Sequence, residues 1–146
     1  RKKVMIMSKN ILFVNASPNK NGNTARMAKK LLKDQPYKQL DLVNYKLYAL
    51  GQDFPDDQFA EIYQEMCKAD VLVMGTPVYW YSMAAPLRAL LDRLYSIVDN
   101  NDLGGKDLYF VIQGAAPSKE TLSLCNYTME RFCTLYHMNY KGMTSN

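Results

Sequence analysis

Residues 11–14, 71–74 and 108–112 are apolar at every position. A strand with one face in water alternates apolar and polar residues, so runs apolar on both faces must be covered on both sides. Helical periodicity fills the spaces between them. Met27, Ala28, Leu31 and Leu32 share one face of a helix expected over residues 24–35. Phe59, Ile62, Tyr63, Met66 and Cys67 fall at i, i+3, i+4, i+7 and i+8 and predict a helix over 56–68. Leu87, Leu90, Leu91, Leu94 and Val98 mark a third helix, with Pro86 tolerated in its first turn. Leu122, Cys125, Met129, Phe132, Cys133 and Tyr136 line a fourth. A second strand is expected over 39–44 and a fifth over 140–143. This alternation predicts an α/β fold in three layers, a doubly wound parallel sheet of five strands in the order 2-1-3-4-5. Ligands of such sheets bind beyond the carboxyl ends of the strands, where the strand order reverses. The site is therefore expected in the loops that follow Asn15 and Gly75, with help from the loop after Ile112.

The 146 residues suffice for one domain, expected over residues 10–146 with residues 1–9 as an extension. Residues 1–10 are basic and then briefly apolar, too short a pattern for a secretory signal. Met7-Ser8-Lys9 reads as a natural start, so residues 1–6 are expected to be an upstream remnant. The helix that usually closes a sheet of this kind does not follow residues 140–143, and it is expected to be cut away or disordered. No apolar stretch is long enough to span a bilayer, and no membrane partner is expected. Three cysteines, Cys67, Cys125 and Cys133, lie far apart, which argues for a reducing, cytoplasmic setting. The single histidine, His137, excludes zinc hydrolases of the H-E-x-x-H type, and no metal site is expected. Residues 1–33 carry nine Lys or Arg and no acid, whereas residues 53–70 carry six acids and one lysine. The basic third is read mainly as a solvated face. No nucleic-acid-binding module is recognisable, so no nucleic-acid partner is expected.

Residues 15–24 (Asn-Ala-Ser-Pro-Asn-Lys-Asn-Gly-Asn-Thr) run from the first strand straight into a helix. Ser17, Asn19, Asn23 and Thr24 would surround the free N–H groups of that helix N-terminus, and Gly22 would allow close backbone approach. Donors at the positive end of a helix dipole suit a phosphate. The competing reading is an ordinary capped loop, since these residue types also cap helices. The sequence contains neither a Walker A pattern nor any G-x-G, so a mononucleotide phosphate fits better than a pyrophosphate. Residues 75–84 place Tyr79, Trp80 and Tyr81 in succession after a buried strand. Aromatics in a loop cover a flat ring, a partner subunit, or the sheet edge itself. A phosphate cradle beside an aromatic wall suits a flavin. Residues 113–117 (Gln-Gly-Ala-Ala-Pro) could offer backbone N–H groups to a ring edge.

Ser17-Pro18-Asn19-Lys20-Asn21-Gly22-Asn23-Thr24 resembles the S-P-x-x-x-G-N-T phosphate loop of the flavodoxin-like NAD(P)H-dependent FMN reductases. Gly75-Thr76-Pro77-Val78-Tyr79-Trp80 resembles their G-[ST]-P-V-Y-[WF] ring loop, and residues 87–94 resemble the helix that follows, with Asp92-Arg93 in place. The resemblance implies a flavodoxin-like fold and an FMN-dependent NAD(P)H oxidoreductase. Ser17, Asn19, Gly22, Asn23 and Thr24 would hold the FMN phosphate. Pro77, Val78, Tyr79, Trp80 and Tyr81 would line the isoalloxazine, with Gly114 at its far edge. Hydride would pass from reduced nicotinamide through flavin N5 to a quinone, a nitro- or azo-aromatic, or free flavin. No catalytic side chain is implied, because the cofactor carries the chemistry. Members usually act as homodimers. Asn19 stands where many members carry arginine. Residues 47–54 lack the cysteines of the iron–sulfur branch, so no such cluster is expected.

Two other readings are of a different class: a flavodoxin-like FMN electron carrier that does not oxidise NAD(P)H, and a non-flavin domain on the same fold. Carriers of that kind tend to be acidic, whereas this chain has a formal charge of +4. Cys125 to Arg131 match the C-x5-R spacing of phosphotyrosine phosphatases, but without glycine and in mid-helix, so Cys125 is read as core. Cys133 and His137, at i and i+4, could meet on one helix face. Without a third, orienting residue they are read as packing.

Overall fold

The computed structural model describes residues 9–146, so the expectation for residues 1–6 lies outside the described residues. The elements follow in the order β1 (Ile11–Asn15), α1 (Asn23–Leu32), β2 (Lys38–Asp41), α2 (Phe59–Lys68), β3 (Val71–Tyr79), β4 (Ser82–Met83), α3 (Ala85–Tyr95), β5 (Asp107–Gln113), α4 (Lys119–Tyr136) and β6 (Asn139–Ser145). The sheet order is β2-β1-β3-β5-β6, and the two-residue β4 pairs antiparallel with the end of β3. With β4 set aside, the five parallel strands lie in the expected order 2-1-3-4-5.

The doubly apolar strands feed two separate cores. On one face α1 buries Ala25, Ala28 and Leu32 against Ile11, Phe13, Val71, Val73 and Val111. On the other, α2, α3 and α4 bury residues such as Ile62, Met66, Leu87, Leu90, Leu94 and Met129 against Leu12, Val14, Leu72, Met74, Leu108 and Phe110. Each fully buried leucine or phenylalanine contributes about 1.5–3 kcal/mol, so these positions decide which face each strand residue takes. Among the described residues, no helix is long and apolar enough to cross a membrane.

Several boundaries differ from expectation: α1 ends at Leu32 rather than at residue 35, the last strand spans Asn139–Ser145 rather than 140–143, and three further differences have a visible cause. β2 stops at Asp41 because its partner β1 ends at Asn15, and Leu42–Asn44 form a 3-10 turn that buries Leu42. α2 starts at Phe59, because the Asp57 carboxylate accepts the Phe59 N–H (3.2 Å) while held by Arg93. β3 does not end at Gly75 but runs on to Tyr79 and turns back through Trp80–Tyr81 into β4. The expected loop over residues 75–84 is thus a β-hairpin.

Candidate functional site

The carboxyl ends of β1, β3 and β5 stand side by side. Asn15 pairs with Gly75, and Pro77 with Gln113. The Ala16 N–H donates to the Gly75 carbonyl at 2.9 Å, which ties the first loop to β3. Gly75 is required here. A Cβ on it would lie 2.8 Å from both Phe13 Cε1 and Thr24 Cγ2, so the start of α1 packs directly on this backbone.

Residues 16–22 are shaped by Asn15, which is fully buried at the end of β1. Its amide oxygen accepts the Ser17 N–H (3.1 Å), and its Nδ2 donates to the Asn19 carbonyl (3.2 Å) and to Asp41 Oδ1 (3.0 Å). Gln39 adds a bond from Nε2 to the Lys20 carbonyl at 2.8 Å. Ser17 Oγ accepts the Asn19 N–H at 3.0 Å. These bonds curl the loop without using the donors of the helix it enters.

No side chain caps α1, and its first turn carries no acid. Its N-terminal N–H groups and the positive end of its dipole are left for an anion. Around them stand Ser17 and Thr24, both buried, and Asn19 and Asn23, both exposed. Thr24 Oγ1 accepts from Gln113 Nε2 at 3.2 Å, so its hydroxyl proton remains to donate. Arg26 bonds the Asn21 carbonyl at 2.9 Å and also the Asn23 side-chain oxygen, which leaves the Asn23 NH2 as the outward donor. A Cβ on Gly22 would come within 3.0 Å of Asn19 Cβ, so the loop closes tightly at that point. An uncapped helix end with hydroxyl and amide donors fits a phosphate monoester.

The aromatic turn is the second half of the site. Trp80 and Tyr81 have φ of 51° and 63°, the left-handed backbone of a type I′ hairpin turn. Such turns ordinarily take Asn-Gly, and a side chain in this region costs about 1–2 kcal/mol per residue. Trp80 is 93% exposed and Tyr81 74% exposed, so local packing does not repay that cost. The sheet-edge reading of these aromatics is therefore not what the structure shows. Val78, Trp80, Tyr81, Gly114 and residues 115–118 line an open groove of about 300 Å³. Gly114 is bare toward it: a Cβ would lie 3.1 Å from Val78 Cβ. The Gly114 N–H donates to Asn146 Oδ1 (3.1 Å) and its carbonyl accepts from Asn146 Nδ2 (2.6 Å), so its backbone groups are already bonded, and the feature that suits a flat ring is the strained, solvent-facing aromatic turn. Pro77, unlike Val78–Tyr81, is buried within β3. A groove of about 600 Å³ lies at the amino ends of β1 and β2, where Lys38 and Lys68 both pair with Glu65.

Several residues around the site escaped the sequence reading. Asn15, Asp41, Gln39, Gln113 and Arg26 shape the loop between β1 and α1, and only a buried asparagine ending an apolar strand gave a signal. Arg93 binds Asp57 through two bonds of 2.7 and 2.8 Å, donates to the Tyr48 carbonyl and lies over the Phe59 ring. This hydrogen-bonded guanidinium holds the Asp57 carboxyl well below the usual carboxylate range. Cys125 is buried on α4, and burial pushes its thiol up, so the phosphatase-like spacing carries no nucleophile. His137 lies past the end of α4 with φ 58°, so it shares no helix face with Cys133. Among the described residues, no cluster of His, Cys, Asp or Glu could hold a metal ion.

Comparison with known proteins agrees with this geometry. The chain is 25% identical over 91 residues to the "Putative NAD(P)H-dependent FMN-containing oxidoreductase YwqN" of Bacillus subtilis (strain 168), covering 57% of this chain and 50% of that protein. It thus spans about half the length of that curated relative. Among solved structures, the Trp repressor binding protein from Bacillus subtilis superimposes with a TM-score of 0.75 at 19% identity, over 93% of this chain and 85% of that one. The apo form of the NADH:FMN oxidoreductase EMOB gives 0.68 at 22% identity, over 94% and 74%. At such identities the structural likeness speaks for the fold. The family model of NADPH-dependent FMN reductases matches residues 9–141, and the chain belongs to that family.

Proposed function

We propose that the chain is an FMN-dependent NAD(P)H oxidoreductase. The observation that carries the reading is a juxtaposition across one strand end. The uncapped N-terminus of α1 and the exposed Trp80–Tyr81 turn flank the same Gly114. Ser17, Asn19, Gly22, Asn23 and Thr24 would hold the phosphate of FMN. Val78, Trp80 and Tyr81, which line the groove beside Gly114, would form the ring wall; of the other two residues expected there, Pro77 is buried within β3 and Tyr79 is not part of the groove lining. When bound, FMN supplies hydride acceptance from reduced nicotinamide and reduction of a small-molecule acceptor such as a quinone, a nitro- or azo-aromatic, or free flavin.

The chain's own part is binding, orientation and preorganised dipoles. The helix end and hydroxyls neutralise the phosphate without a mobile cation. The hairpin fixes the backbone of Trp80 and Tyr81 before any ligand arrives, which lowers the ordering cost of binding.

We read residues 10–146 as one FMN-binding domain, since both apolar cores share one sheet. A homodimer is the assembly we favour. Tyr95 on α3 and Leu124, Tyr127 and Leu135 on α4 leave large apolar side chains exposed on neighbouring helices, as a second copy would cover. Free thiols at Cys67, Cys125 and Cys133 support a cytoplasmic setting.

The test is an absorbance spectrum of the protein with FMN, followed by anaerobic NADPH and then NADH. A bound-flavin spectrum that bleaches within the mixing time of a manual assay supports the reading. Binding without bleaching by either nucleotide would indicate an electron carrier instead, and absence of FMN binding would refute both.

A further inference from the structure

The aromatic turn is not held by its own hairpin. β4 contributes only Ser82 and Met83, paired with Tyr79 and Val78. Two pairs cannot by themselves keep two bulky residues in left-handed backbone, since isolated hairpins are marginal even with favourable turns. The base of the hairpin is closed by Thr76, whose Oγ1 accepts the Ala84 N–H at 2.9 Å and donates to the Pro77 carbonyl at 2.8 Å. That bond is far from the tip.

The tip is held from α4. Thr121 Oγ1 donates to the Tyr81 carbonyl at 2.9 Å, forty residues away in sequence. Thr121 is buried, and Ser118 at the helix N-cap fixes it twice. Ser118 Oγ donates to Thr121 Oγ1 at 3.0 Å and accepts the Thr121 N–H at 3.1 Å. Each hydroxyl donates once and accepts once, so the chain Ser118–Thr121–Tyr81 has one direction and bonds that reinforce each other. One turn along α4, Cys125 is buried where that helix lies against β4. Strained backbone persists where its surroundings over-determine it, commonly at ligand sites.

We propose that Thr121 is a positioning residue. Acting through the Tyr81 carbonyl, it sets the Trp80–Tyr81 turn as a preformed wall for the flavin ring, a role that rests on the FMN reading above. Nothing in the ring-loop sequence itself contains this contact.

Trp80 is the only tryptophan, so its emission reports on the turn alone. The experiment compares the protein with Thr121→Val and Thr121→Ser by Trp80 fluorescence anisotropy without FMN, and by titration with FMN and riboflavin. Valine keeps the shape and removes the hydroxyl. For Thr121→Val the expected result is lower anisotropy in the FMN-free protein. Both flavins should bind roughly five- to tenfold more weakly, the effect of one lost hydrogen bond. The ratio of FMN to riboflavin affinity should not change, because the phosphate loop sets it. General loosening of the fold would lower that ratio as well. Thr121→Ser should restore both readouts. Unchanged anisotropy, or unchanged affinity for both flavins, overturns the proposal. If Thr121→Val does not fold, Thr121→Ala decides by the same readouts, since it removes the same hydroxyl and adds no bulk. If the unaltered protein binds neither flavin, the functional reading fails and the ring-wall role with it. The anisotropy comparison then still tells whether Thr121 holds the turn.

Discussion

Replacing Trp80 by Asn and Tyr81 by Gly should make the FMN-free protein more stable and a poorer flavin binder. Both residues occupy left-handed backbone, with φ of 51° and 63°. Relief of about 1–2 kcal/mol at each gives a gross gain of roughly 2–4 kcal/mol. Glycine returns about 0.5–1 kcal/mol of that through its larger unfolded-state entropy. Little burial is lost, because Trp80 is 93% exposed and Tyr81 74% exposed. The net is a stabilisation of about 1–3 kcal/mol. For a chain of this length each kcal/mol moves the melting temperature by about 2–4 °C, so the midpoint should rise by roughly 2–12 °C. The assay is a thermal melt followed by circular dichroism, with an FMN titration of the same samples. FMN affinity should fall at least about tenfold, because the ring loses its aromatic wall. A melting temperature that stays or falls would refute the claim that the turn stores strain. A rise with FMN affinity intact would refute the claim that the strain serves the cofactor.

Other outcomes follow from the same contacts. Gly75→Ala would drive a Cβ against Phe13 and Thr24, both fully buried, so the urea midpoint should drop by an amount worth about 1–3 kcal/mol; an unchanged midpoint would contradict the seating of α1 on β3. Asp57 is held below its ordinary carboxyl value by the Arg93 hydrogen bonds. A depressed folded-state pKa gives stability that is present above the unfolded value near 4 and is lost as pH falls below it. Asp57→Asn should therefore destabilise the protein at pH 7 by roughly 1.5–3 kcal/mol and flatten the acid side of its stability profile; a parallel offset at every pH would contradict the ion pair's role. Burial pushes the Cys125 thiol up and the Cys133 thiol up to about 12. A thiol reagent at pH 8 should thus reach Cys67 alone in the native protein and all three cysteines in denaturant, and native labelling of Cys125 would contradict its packing under β4.

The layers of the fold were legible because burial leaves a periodic trace. Leu12, Leu72 and Leu108 had to face a core from strands apolar on both sides, and Leu87, Leu90, Leu91 and Leu94 had to line one helix face. The run from β1 into a helix over residues 15–24 was legible, because small polar residues there end an apolar strand and lead into a helical pattern. The hairpin after Gly75 was not, since Trp80-Tyr81 carries none of the Asn-Gly chemistry that announces a type I′ turn. Its geometry is imposed from Thr121 and Thr76, and contacts forty residues apart leave no local pattern. The same holds for Asn15, whose three hydrogen bonds reach Ser17, Asn19 and Asp41. Strand β2 ended early for a reason held in another strand, the end of β1 at Asn15. Asp57 moved the start of α2 through a partner in α3, Arg93.

The central claim is that the end of α1 takes a phosphate while the Trp80–Tyr81 turn takes the ring joined to it. Calorimetric titration of the FMN-free protein with FMN and, separately, with riboflavin tests this most directly, because the two ligands differ only in the phosphate. The account predicts that both bind at one site and quench Trp80, with FMN at least about 100-fold tighter. Equal affinities would contradict the phosphate cradle at residues 17–24, and FMN binding without quenching of Trp80 would contradict the aromatic wall.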